Sequence, residues 1–339
     1  MKGVRLTAGL ATIPAIFVLF FPLKGILAKV SKNSMKVLIP FLGVGLFFLI
    51  TTTASGRDLQ EIRHDGVLRH LGIPYAHFVK PSPAGMTGLD VELMQLFATH
   101  LGVRYELVET SWREVFGDLT GDTLQSHTGG IKIIGKTPVK GDIIANGLTI
   151  LPERQKIVNY SLPTFPTGVW LVARADSSIK PITPTGSIDK DIAQVKKLLT
   201  GRSVLSMKNT CLDPDLYGLA QTGAEIRYHT ASQFLGDVAP AILDGVAEAT
   251  LLDIPDALIA LQKWPGEIKI IGPVSQPQYM GVAFAKDAPE LRHAFDTFFR
   301  TIWADGTYKK LVEKYYPTIF LYLDGFFAKN LGEFKNADN

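Results

Sequence analysis

The chain of 339 residues holds a single cysteine, Cys211. That excludes an intrachain disulfide and a Cys-rich zinc site, and it removes cysteine usage as a guide to redox compartment. It also excludes a lipid-modified cysteine near the N-terminus. Acidic residues are absent from residues 1–56, which carry six basic ones, Lys2, Arg5, Lys24, Lys29, Lys32 and Lys36, while the remainder has 29 Lys and Arg against 32 Asp and Glu. The formal charge of +3 therefore hides a mildly acidic body without a basic stripe, which gives nucleic acid no electrostatic footprint. The motifs G-x-S-x-G, H-E-x-x-H and G-x-x-x-x-G-K-[ST] are missing, and the seven histidines have no metal-site spacing. Asp213 and Asp215 in DPD read as a turn, not as paired catalytic carboxylates. The expectation from these absences is a chain with no metal, no cofactor and no enzymatic activity.

What is present suffices for a large core. With 46% hydrophobic and 20% charged residues, the sequence reads as globular and long enough for two domains. The N-terminal 56 residues contain two apolar stretches, Leu6–Ala28 and Val37–Ile50. The second has the layout of a signal peptide: Met35 and Lys36, then VLIPFLGVGLFFLI, then the small residues TTTASG. This predicts export to the periplasm, cleavage near Ala54 or Gly56, and Met35 as the initiator. A hairpin of two membrane helices acting as an anchor is the competing expectation, although the second stretch is short for a span of ~20 residues.

From Gly66 onward, short apolar runs alternate with amphipathic stretches, the pattern of an α/β fold. VLRHLGI and VRYELVET read as strands on either side of the helix LDVELMQLFATHL, which ends at Gly102. SWREVFGDL follows as a helix, and residues 117–140 form a Gly- and Thr-rich insert expected to be a surface excursion. GVWLVARA is predicted to cross into a second unit of alternating helices and strands, and the chain returns to the first near Gln278. The expected division is residues 1–56 as leader or anchor, 57–172 with 278–339 as a discontinuous first lobe, and 173–277 as the second. The aromatic tail IFLYLDGFFAKNL is expected to pack on the first lobe.

Four segments in order, MTGLDVELMQLFATHLGVRYELVETSW, GDIIANGLTILPERQKIVNYS, GVAFAKDAPELRHAF and ADGTYKKLVEKYYP, resemble the family 3 extracellular solute-binding proteins, the polar amino acid binders of ABC importers. The resemblance spans roughly residues 66–317. It implies a periplasmic binding protein type II fold, in which two α/β lobes are joined by a two-stranded hinge and close on an amino acid or related small carboxylate. It also implies a monomer that delivers its ligand to an ABC transporter permease.

The resemblance assigns roles residue by residue. Arg154, five positions after Thr149, would grip the ligand carboxylate; a guanidinium fork suits that task because it forms two parallel bonds and stays charged. Thr149 would add a hydroxyl, with Asn146 and Gly147 in the turn before it. Asp253 precedes Pro255 and is read either as a helix N-cap or as the acceptor of the ligand ammonium. The loop KNTCLD resembles the family's GTT turn, with Asn209, Thr210 and Cys211 in place; Cys211 departs from the expected hydroxyl and is equally readable as a small buried apolar residue. Tyr75, Phe78 and Trp112 would supply an aromatic wall. Other members of this fold leave two alternatives, a membrane-anchored sensing module and a dehydratase-like enzyme. A transglycosylase would need a further catalytic domain, whereas about 22 residues follow Pro317.

Overall fold

Val67–Gly72 forms a strand buried on both faces, with Leu68 and Leu71 fully buried on opposite sides of it. In the computed structural model, which describes residues 56–127, 130–230 and 235–333, this strand lies inside a five-stranded sheet. The order across that sheet is Arg104–Glu109, Val67–Gly72, Ile143–Ile144, Ala283–Ala285 and Val158–Tyr160. The first three strands are parallel, and Ala283–Ala285 runs antiparallel to both its neighbours. Helix Leu89–Leu101 covers one face with Leu89, Leu93, Met94 and Phe97, and Gly102 closes it in a left-handed cap (φ 73°), a conformation that glycine adopts without a Cβ penalty. Phe97 meets Phe295 and Phe298 of helix Pro289–Ala304 edge-on or tilted.

A second five-stranded sheet has the order Glu225–Tyr228, Ser203–Ser206, Ala249–Asp253, Val169–Arg174 and Ile268–Pro273. Its central strands are buried at almost every position, as near-continuous apolar runs such as ATLL require. The fold is thus α/β with two sheet-centred lobes. Between them, Phe165–Thr167 pairs antiparallel with Gln278–Met280, and this short ribbon is the two-stranded connection. Val169–Arg174 pairs on both edges within the second sheet, so the outgoing crossing is made by residues 165–167 and not by GVWLVARA. The long apolar run reads as a crossing strand in sequence because a central strand is apolar on both faces, wherever it lies.

The insert is a β-hairpin, Asp122–His127 against Gly130–Lys136, with a register shift between Thr123 and Leu124. The tail packs on the first lobe, where Phe326 is buried against Trp303 and Tyr279, and it also reaches the second, where the exposed Tyr322 meets Trp170 at 5.8 Å; Leu321 is exposed. The predicted leader or anchor lies outside the described residues. Among the described residues, no helix is long and apolar enough to cross a membrane.

Candidate functional site

A cleft of about 1070 Å³ lies between the two sheets. Arg154 comes from the first lobe, on a single helical turn, Pro152–Gln155, that follows the extended Leu151. Its side chain is buried, donates through Nη1 to the Thr149 carbonyl at 3.0 Å, and lies 5.7 Å from the Phe116 ring centre. Thr149 itself is bridged to Met280 of the connecting ribbon, so the backbone that Arg154 bonds is tied to the element that joins the lobes. With only four residues, this helix has little dipole to offer, so the charge it presents is that of the guanidinium.

Asp253 faces it from the second lobe, at the end of strand Ala249–Asp253 and the start of helix Ile254–Lys263. It occupies the N-cap position with extended backbone (φ −60°, ψ 147°), yet its side chain makes no capping bond. The carboxylate turns into the cleft, where Oδ2 accepts from the Tyr75 hydroxyl at 3.2 Å and from the Cys211 thiol at 2.9 Å, and Oδ1 has no partner among the described residues. One helical turn on, Asp256 also accepts from Tyr75, at 2.8 Å. A phenol has one proton, so a single donor faces two buried carboxylates. Burial pushes the Asp253 carboxyl up to about 6, against the pull of Cys211, Tyr75 and Arg154. It pushes Asp256 up to about 7, helped by the negative Asp253 beside it. Tyr75 belongs to the first lobe, so these bonds cross between the lobes.

Cys211 is buried, its thiol held up by desolvation and by Asp253. It is therefore both a buried residue and a cleft residue, and the two sequence readings merge. Asn209 adopts the left-handed turn (φ 61°), and the Thr210 hydroxyl donates to the Met207 carbonyl at 2.8 Å while accepting from Leu212 N–H. The Tyr217 hydroxyl braces the turn by donating to the Cys211 carbonyl. Trp112 lines the cleft at 5.8 Å from Tyr75, edge to face, and its buried Nε1 has no partner among the described residues.

Other expected contacts are committed elsewhere. Phe78 is fully buried, ringed by Tyr75, Phe165 and Tyr316 behind the cleft wall, so it supports the wall and does not form it. The Asn146 side chain spans the Ile73 backbone, accepting from its N–H at 3.2 Å and donating to its carbonyl at 2.9 Å. Gly147 does line the cleft, while its N–H donates to buried Asp90 at 2.6 Å; at φ 55°, a Cβ there would lie 2.4 Å from Phe78. These commitments depend on partners distant in the chain, which spacing alone does not reveal.

Sequence reasoning missed Asp256 and the hairpin. Asp253 and Asp256 stand three apart at a helix start and so share a face, a signal legible in DIPD. The hairpin is not a mere surface excursion, because Leu124, Gln125, Ile131 and Ile134 line the cleft.

The model of the bacterial extracellular solute-binding proteins, family 3, matches residues 137–318, just over half of the chain. L-cystine-binding protein TcyJ of Escherichia coli is 24% identical over 232 residues, covering 68% of this chain and 74% of that one. The crystal structure of the ancestral amino acid-binding protein AncCDT-1, a precursor of cyclohexadienyl dehydratase, superposes with a TM-score of 0.58 at 25% identity, over 76% of this chain and 98% of that chain. Membrane-bound lytic murein transglycosylase F of Desulfosudis oleivorans is 25% identical over 295 residues, 84% of this chain and 56% of its own. The chain thus spans about half the length of the curated relatives it matches first. Relatives of the same name from Photobacterium profundum and Pseudomonas putida match at 26% and 23% identity. The expectation that the chain is no enzyme therefore does not stand, since these relatives carry an enzyme's name; motif absence misses activities whose signatures lie outside the motifs sought. The matched model, the four ordered segments and the two-sheet architecture agree, and the chain belongs to the bacterial extracellular solute-binding proteins, family 3.

Proposed function

We propose that this chain captures an amino acid or related small carboxylate between its lobes and, after export to the periplasm, hands it to an ABC transporter permease. In this reading, residues 169–274 form the second lobe and the rest of the described body the first. The observation that carries it is a pair of opposite charges, Arg154 and Asp253, buried on different lobes and lining one cleft, with Asp253 Oδ1 unpartnered among the described residues. Arg154 would take the carboxylate, with Thr149 beside it, and Asp253 the ammonium. Each lobe alone satisfies one end of a zwitterion, so the ligand favours the closed arrangement. Tyr75 and Trp112 would flank the ligand, and Cys211 and Thr210 would shape the second lobe's side of the site.

Titration calorimetry against L-amino acids and small carboxylates tests this. Saturable binding by at least one of them is expected, with Arg154→Ala weakening it by several kcal/mol, as when one member of a buried charged contact is removed. A loss below about 1 kcal/mol would show that Arg154 is not the anchor. The names of the relatives support cystine and the amino acids in general as first probes. The 84% coverage by the transglycosylase F relative supports a second reading, in which the chain serves the murein chemistry of those relatives. Release of soluble glycan from purified murein by the protein would favour it.

A further inference from the structure

The proposed solute site occupies only part of the cleft that contains it. Tyr75 already bonds Asp253 and Asp256 across the lobes, so the volume of about 1070 Å³ belongs to lobes in contact and not to lobes held apart. Pockets of roughly 300–1,000 Å³ accept drug-sized molecules, well beyond a free amino acid. Arg154 and Asp253 mark the buried end, at 9% and 1% exposure. The more exposed lining includes the insert hairpin of the first lobe, with Ile134 54% exposed, and Tyr228 and His229 of the second.

Two polar atoms in this lining lack partners among the described residues, Trp112 Nε1 and His229 Nε2, and both are buried. An indole nitrogen only donates, so it calls for an acceptor; leaving it unpaired away from water is unfavourable. Lys208, lying over the Tyr228 ring at 5.5 Å, adds a cation beside them. An apolar side chain such as Ile134, exposed toward a cleft, gains from contact with an apolar group.

We infer that the insert hairpin and the Tyr228–His229 segment form a second subsite, so that the ligand is an amino-acid head bearing an acceptor-rich, partly apolar extension at least as long as a second residue. A short peptide and a side-chain-linked amino acid share this chemistry. The inference rests on the proposed solute site, because it takes Arg154 and Asp253 as the seat of the head. The head pairs with the buried charges, the extension's carbonyl accepts from Trp112, and its apolar part lies under Ile134.

Calorimetry on the intact chain tests it with two sets of probes: L-leucine, L-arginine and L-glutamate singly, and L-leucyl-L-alanine, tri-L-alanine and L-cystine as extended ligands. At least one extended probe should bind tenfold or more tightly than every single amino acid. A best probe among the peptides assigns the extension to the main chain, and L-cystine assigns it to the side chain. Ile134→Ser and Tyr228→Ala, exposed positions on opposite lobes, should each erase most of that preference and leave single amino acids bound as before. Single amino acids binding as tightly as any extended probe, or a preference that survives both substitutions, overturns the second subsite alone. Failure of every probe to bind overturns the solute-binding reading itself.

Discussion

Replacing Asp256 with Asn should stabilise the unliganded protein at alkaline pH, and the size of the gain follows from the crowding around Tyr75. The Asp256 carboxyl is buried, and burial with the adjacent Asp253 charge pushes it from 3.8 up to about 7. A carboxyl whose folded pKa is raised binds more protons folded than unfolded, so stability falls as pH rises from about 4 to about 7, and the cost is complete above that. Three pKa units correspond to about 4 kcal/mol, and sharing the proton with Asp253 reduces this to about 2–4 kcal/mol. Asn keeps an acceptor for the Tyr75 hydroxyl but carries no charge. At pH 8 the melting temperature should therefore rise by about 4–16 °C, on the scale of 2–4 °C per kcal/mol for domains of this size class. At pH 4 the gain should shrink toward zero, since the carboxyl is largely protonated in the folded state and close to half so in the unfolded chain. Scanning calorimetry of both proteins across pH 4–8 measures the difference. A gain equal at both ends of the range, or a loss at pH 8, would refute the reasoning.

Other substitutions separate support from recognition. Phe78→Ala should cost about 3–5 kcal/mol of folding stability, read from denaturant midpoints, because a fully buried ring is removed. Gly147→Ala meets both a positive φ and a Cβ 2.4 Å from Phe78, so it should lower the melting temperature more than Gly66→Ala, where φ is also positive but nothing lies within 4 Å. The Cys211 thiol, buried and held well above its ordinary pKa, should resist alkylation by iodoacetamide at pH 8 in the folded protein and react once denaturant is added. Rapid labelling without denaturant would mean that the cleft opens readily.

Periodicity made the secondary structure of both lobes legible, because strands such as Val67–Gly72 and Ala249–Asp253 bury their residues as their sequences demand. Thr149 and Arg154 stood out by motif spacing, and the structure brings Thr149, Arg154, Gly147, Thr210, Asp253, Cys211, Tyr75 and Trp112 to one cleft. What spacing could not convey is how a polar group divides its bonds. Asn146 is taken up by Ile73, 73 residues earlier, and Gly147 by Asp90, 57 residues earlier. In the same way, the role of residues 117–140 depends on where the hairpin folds back, and that is decided by the body it packs on.

The place of Ala283–Ala285 has a consequence for the order in which the molecule takes shape. This strand lies between Ile143–Ile144 and Val158–Tyr160, so the first sheet stays split until more than a hundred residues beyond Val158 have been synthesised. The second sheet draws all its strands from Val169 to Pro273 and is complete before then. Contacts that close long loops form late, because their entropy must be spent before pairing returns anything. All strands of the second lobe are therefore available before the first sheet can be finished, and a chain stalled before residue 283 would present an unfilled strand slot, the kind of edge that invites pairing with another chain.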